Sequence, residues 1–184
     1  SARMNLKTAQ LANFFSRNAK RAMPSSTLLF KPAPKKYDFK IHASLCIHRV
    51  IDSGAMDSLI RLLCWPNPKV QFSRTAGDAL IDRARSQEAS MFYRDTDADV
   101  LLFVDDDISY RPEDAVKVCR EAFERKAIVG ATYVNKKESY TWITAKPLNG
   151  EPIDFKEDAV PVEVRWVATG FMAIPRNVLT EMIE

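Results

Sequence analysis

The run Val100-Leu-Leu-Phe-Val104 restricts this chain more than any other feature. A nearly continuous apolar run of strand length marks a central strand covered on both faces. Three aspartates follow at once, Asp105, Asp106 and Asp107. Pro112 then stands at a first helical position, with Glu113 and Asp114 in the first turn and Arg125 and Lys126 in the last. That is a well-signalled helix. A buried strand, a charged tip and a helix make up one unit of an alternating fold.

The rest of the chain from about residue 40 alternates in the same way. Residues 40–48 place Ile41, Ala43, Leu45 and Ile47 on one side of a strand and His42, Ser44, Cys46 and His48 on the other. Residues 54–65 read as a short amphipathic helix and 69–74 as a second strand. Asp78 is placed to cap a helix running to about Arg94, with Leu80, Ile81, Ala84, Met91 and Phe92 in one broad stripe. Residues 127–134 read as a strand, and 162–174 as one or two more with a bend at Gly170. A last helix begins at Pro175. This order predicts an α/β fold, a Rossmann-like, mostly parallel sheet with flanking helices. Ligands of such sheets bind beyond the carboxyl ends of the strands, where the aspartates stand.

Residues 1–39 differ in character. Residues 4–23 have the spacing of a helix, and the stretch after it carries three prolines without a clear period. We therefore expect an N-terminal helix and arm over 1–39 and a domain over 40–184. Residues 1–40 carry nine Lys/Arg and one acid, Asp38, whereas the remainder carries 18 basic and 23 acidic residues. A main body with excess acid argues against nucleic acid as a partner. The basic segment has three competing roles: packing on the domain or a partner subunit, peripheral contact with an anionic membrane, or a transit peptide. No apolar run approaches the ~20 residues of a membrane span. No secretory leader is expected at the start. Cys46, Cys64 and Cys119 are odd in number and far apart, which suits free thiols in a reducing, cytoplasmic compartment.

Asp105 and Asp107 point to the same side of an extended chain, and two such carboxylates repel unless a cation joins them. Hard oxygen donors suit Mg²⁺ or Mn²⁺, held by one or two carboxylates and completed by water and substrate phosphates. Acids after a strand can also do no more than solvate a turn.

Residues 97–118 resemble the metal-binding segment of GT-A fold glycosyltransferases: an apolar strand, Asp-x-Asp, then a helix opening on Pro and acids. Three further stretches resemble that family in order and spacing: 79–89, 127–137 and 164–182. The resemblance covers roughly residues 40–184. It implies a GT-A type domain with a nucleotide-sugar donor, most often a UDP-sugar, and Mn²⁺ or Mg²⁺ on its diphosphate. It implies transfer of a hexose to a glycan or other hydroxyl acceptor. By position, Asp107 would be the direct metal ligand. Asp105 would contact the metal, ribose or sugar, and Asp106 the sugar or ribose. Ile47, His48 and Arg49 would lie beside the nucleoside. Arg83 and Arg85 would serve the base or diphosphate; they stand about 200° apart on a helical wheel, so one of them is expected to face the site. Thr169, Gly170 and Phe171 would border the sugar pocket. Trp166 would stack an acceptor sugar or belong to the core.

The residue acting as base in inverting members of that family lies beyond the point matching Glu184, as does a histidine that often completes the metal site. The resemblance therefore implies a C-terminally truncated catalytic domain, a transferase using other residues, or a module that binds nucleotide sugar or glycan without turnover. Glu163, Glu157 and Asp158 are weak candidates for a base. A haloacid dehalogenase-like phosphatase also ends an apolar strand in Asp-x-Asp, with the first aspartate as nucleophile, although normally on its first strand.

Overall fold

The computed structural model describes residues 37–132, 145–148 and 161–184, together with the backbone of Leu6–Lys7. Its elements in chain order are β1 (Leu6–Lys7), β2 (Ile41–Ile47), α1 (Ser53–Leu63), β3 (Val70–Ala76), α2 (Ile81–Asp95), β4 (Val100–Asp105), α3 (Pro112–Arg125), β5 (Val129–Gly130), β6 (Ala145–Pro147), β7 (Glu163–Val167), β8 (Phe171–Pro175) and α4 (Arg176–Ile183). The central sheet has the order β3-β2-β4-β8-β5. β3, β2 and β4 are mutually parallel, and β8 runs antiparallel to both β4 and β5. The molecule is an α/β fold with a mixed, mostly parallel sheet flanked by helices. A smaller antiparallel sheet has the order β1-β7-β6.

β4 is buried along its length until Asp105. Its residues alternate between two cores. Val100, Leu102 and Val104 pack with Ile41, Ala43 and Leu45 of β2 under α1 and α3. Leu101 and Phe103 pack with Phe92 of α2, Met172 and Ile174 of β8, and Leu179 of α4. Each fully buried large side chain here contributes about 1.5–3 kcal/mol. The first core already includes Phe39, with Tyr37 packed against it.

Several local readings are corrected. The 4–23 segment reads as helical, yet its two described residues, Leu6–Lys7, form a strand paired with Glu163 and Val164. The rest of the segment lies outside the described residues. Pairing with a neighbour far along the chain overrides local periodicity there. The helix expected from Asp78 begins at Ile81, and Asp78 turns instead to the Leu80 amide (2.9 Å) and to Arg83. Its apolar stripe is also different. Leu80 and Ile81 are 61% and 42% exposed, while Ala84, Glu88 and Phe92 form the buried line. The reason is the surface that α2 meets. On that side β2 and β3 present His42, Ser44, Ser73 and Thr75, which a carboxyl can hydrogen-bond and a leucine cannot. His42, Ser44 and Cys46 are accordingly buried.

The antiparallel course of β8 has a direct consequence. The turn at Thr169–Gly170 arrives at the carboxyl end of β4, and the Asp105 amide donates to the Gly170 carbonyl at 2.8 Å. Gly130 on β5 lies under Val167: a Cβ there would come within 2.6 Å of a Val167 methyl, so only glycine fits.

Arg176, the first residue of α4, closes the opposite edge. Its guanidinium donates to the carbonyls of Tyr93 (2.8 Å), Phe92 (3.0 Å), Thr96 (2.9 Å) and Ala98 (2.8 Å). It also stacks over the Phe92 ring at 4.4 Å. The last carbonyls of α2 have no partners within the helix, and a cation there is also favoured by the helix dipole. Arg176→Ala is expected to cost about 2–4 kcal/mol, because buried carbonyls lose charged donors. Urea unfolding should show a lower midpoint with an unchanged slope. Arg176→Lys should not restore it, since a point charge cannot serve carbonyls spread around a planar fork.

Candidate active site

The carboxyl ends of β2 and β4, the loop after β3 and the first turn of α2 enclose a cleft of about 200 Å³. It is lined by Cys46, Ile47, His48, Asp78, Ala79, Ile81, Ala84 and Asp105 to Asp107. That is below the ~300 Å³ at which ligand pockets begin. It would hold a cation and a phosphate, with the rest of a larger ligand lying outside.

The aspartate turn is held from both sides. The Asp106 carboxylate accepts from the His48 amide at 3.1 Å, and its carbonyl accepts from the Asp52 amide at 2.8 Å. Asp52 caps α1 through the Gly54 amide at 2.8 Å. One turn on, the Ser58 hydroxyl donates to the Gly54 carbonyl (2.7 Å) and accepts from the Tyr110 amide (2.9 Å). Gly54 itself is in close approach to Ser109, where a Cβ would collide with the hydroxyl. So the loop after β4 is tied to α1 through the Asp52 amide and the Ser58 hydroxyl, and to the end of β2 through the Asp106 carboxylate.

Asp105 pairs with Arg85, whose Nη2 donates to Oδ1 at 2.6 Å. Burial raises the Asp105 pKa, the Arg85 guanidinium opposes this by charge and hydrogen bond, and Asp107 and Asp106 add to the rise. The Arg83 guanidinium holds the Asp78 carboxyl below its usual range, helped by the Leu80 amide. Burial pushes the Cys46 thiol up to about 11, so it is neutral at physiological pH and serves as wall, not nucleophile.

Behind the cleft lies a buried polar seam. Glu88 of α2 is 2% exposed. Its Oε2 accepts from the hydroxyls of Ser44 (2.8 Å) and Ser73, and its Oε1 from Thr75 (2.5 Å). His42 Nε2 meets the Ser73 hydroxyl at 2.7 Å. Burial lowers the His42 pKa, so the ring is a neutral structural partner.

Among the residues expected from sequence, Asp105, Asp106, Asp107, Ile47 and His48 line the cleft. Of the two arginines, Arg85 reaches the cluster and Arg83 is engaged by Asp78. Arg49 is exposed and outside the lining. Gly170 accepts from the Asp105 amide, and neither it nor Thr169 lines the cleft. Phe171 is buried in the main core, its ring 5.1 Å from that of Tyr110. Trp166 is 45% exposed on the small sheet opposite Lys146, so it is neither a core residue nor part of the cleft wall. Glu163 sits on that sheet opposite Lys7. Glu157 and Asp158 lie outside the described residues. Sequence reasoning missed Asp78 as a cleft residue, Cys46, Ala79 and Ile81 as its walls, and Glu88 altogether. Glu88 left one trace: it stands four residues after Ala84 and four before Phe92, in the line that faces inward.

Among the described residues no group of three or more His, Cys, Asp and Glu converges as a ready metal cage. The donors still fit a hard cation that takes one or two carboxylates and completes its shell from water and phosphate. Burial is the main cause of the raised Asp105 pKa, with Asp107 and Asp106 adding to it, and a cation bound there would favour the charged form.

No protein-family model matches the chain, and no curated protein does. Among solved structures, that of A197 from STIV is similar, with a TM-score of 0.55 and 18% identity over 77% of this chain and 68% of that one. At that identity the likeness concerns the fold alone. Among the described residues no helix is long and apolar enough to cross a membrane.

The titration of Asp105 is a test of this electrostatic arrangement. Followed by carboxyl-carbon NMR, Asp105 is expected to titrate above the ordinary carboxylate range, and higher still in Arg85→Met. A folded-state pKa above the unfolded one means that this group's stabilisation is complete below the ordinary carboxyl pKa. It fades as pH rises through the raised value. A wild-type value below the ordinary range would contradict the arrangement.

Proposed function

We propose that the chain binds a nucleotide sugar, a UDP-sugar first, through Mn²⁺ or Mg²⁺ at Asp107 and Asp105, and transfers the sugar to a hydroxyl acceptor as a GT-A type glycosyltransferase. One observation carries this reading: the paired carboxylates line one cleft at the carboxyl end of the central strand, and Arg85 pairs with Asp105, one of them. An isolated acidic turn needs no half-buried arginine partner and no cleft. The first turn of α2 faces the same cleft through Ile81 and Ala84, adding the positive end of a helix dipole where a diphosphate would lie.

Asp107 would hold the cation, with Asp105 beside it. Bound there, the cation supplies charge compensation for the departing diphosphate. Arg85 is placed to stabilise the same developing charge, since its fork pairs with phosphate oxygens. Asp106 holds the turn through one carboxylate oxygen, which accepts from the His48 amide, and lines the cleft where it would contact the sugar or ribose. His48 and Ile47 form the wall on which a nucleoside would rest. Attack by the acceptor hydroxyl on an inverting path needs a base near that hydroxyl.

A second reading is favoured by one observation. Among the described residues, Asp78 is the cleft's only carboxylate outside the aspartate cluster, and it is engaged by Arg83. A domain that binds nucleotide sugar without turnover would have this composition.

Calorimetric titration of UDP, with Mn²⁺ and with chelator, tests the donor site. Wild type should bind only with metal, and Asp107→Ala should weaken binding by roughly tenfold or more. Binding indifferent to metal and to Asp107 would remove the proposal. Failure with UDP, GDP and other nucleotides would also remove it and turn attention to phosphatase activity. Donor hydrolysis or transfer by the same protein separates enzyme from binding module.

A further inference from the structure

We infer that Glu88 is a positioning residue: its carboxyl group sets the register of α2 on the sheet so that Arg85 reaches Asp105. This rests on the donor-site reading for its functional consequence.

The argument is geometric. Ser44 and Ser73 face each other across β2 and β3, and one step further Cys46 faces both Thr75 and Asp105. Glu88 bonds to Ser44, Ser73 and Thr75, so its carboxyl spans the two rungs that end at the level of Asp105. Arg85 lies three residues earlier on the same side of α2, about 4.5 Å nearer the cleft. Its guanidinium then meets Asp105 at 2.6 Å. Apolar packing is non-directional and tolerates sliding of a helix along a sheet. The neighbouring side chains on the buried line of α2 are apolar, Ala84 toward the cleft and Phe92 away from it, and the bonds from Arg176 act at the far end of the helix. Between them, three directional hydrogen bonds to two different strands permit one register. A group this buried is costly unless every bond is made, and a leucine would fill the same place. Fixing Arg85 gives that expense a purpose.

The test uses two variants. The triple variant Ser44→Ala, Thr75→Val, Glu88→Met replaces the seam with apolar groups and keeps Ser73 as the partner of His42. Such replacement of a buried polar set often preserves stability. Glu88→Asp keeps the acid and shortens its reach by one methylene. In each, denaturant unfolding establishes the folded fraction, and UDP with Mn²⁺ is titrated by calorimetry. Nitrogen NMR of the arginine side chains follows Arg85 in the ligand-free protein. Both variants are expected to weaken UDP binding by roughly tenfold, about as much as Arg85→Met. Adding Arg85→Met to either should weaken it little further, because the two changes remove the same contact. The Arg85 guanidinium signals should change from restricted to freely averaged, as they should in Asp105→Leu. Folded variants with wild-type affinity and unchanged Arg85 signals overturn the inference. If wild type binds no nucleotide yet its Arg85 signals respond to Glu88, the donor-site reading fails and the positioning stands.

Discussion

Burial of β4 on both faces is the constraint from which the rest follows. Val100 to Val104 alternate between two cores, so both faces of that strand are buried. Charges can appear only at its end. Asp105 to Asp107 stand there because the strand has run out of cover, and neighbouring strand ends and loops converge on the same edge. The cleft is thus a product of sheet architecture, and its charge a product of where the apolar run stops.

α2 carries two burdens on one face. Phe92 seals the second core, while Glu88 meets a polar strip of β2 and β3. A helix facing a uniformly apolar sheet would show a wide stripe and bury Leu80 and Ile81. Here those two remain exposed near the mouth of the cleft, and Arg176 holds the far end of the helix by its last carbonyls. The helix is located by polar bonds at its middle and at its carboxyl end. That suits an element whose arginine must sit within hydrogen-bond distance of one carboxylate.

Much of the fold was legible. The β4–α3 unit was readable from its apolar run, Pro112 and the flanking charges, which act within a few residues of one another. The aspartates as cleft residues were legible for the same reason. Arg85 was legible only as one of two, since a helical wheel separates it from Arg83 without saying which side faces the sheet. Asp78 read as a cap because spacing alone does not show that Arg83 and the Leu80 amide would claim it. Trp166 was open between stacking an acceptor sugar and belonging to the core, as its side depends on which sheet β7 joins.

The sequence by itself determined the alternation of strands and helices, the covered central strand and the acidic tip, because periodicity and capping are short-range effects. Tertiary structure alone decided that β8 runs backwards between β4 and β5, which brings Gly170 onto Asp105. It decided that Leu6–Lys7 pair with β7. It also decided that Glu88 finds Ser44, Ser73 and Thr75. These outcomes join residues separated by 13 to more than 150 positions, and no local pattern encodes which distant partner satisfies a buried polar group.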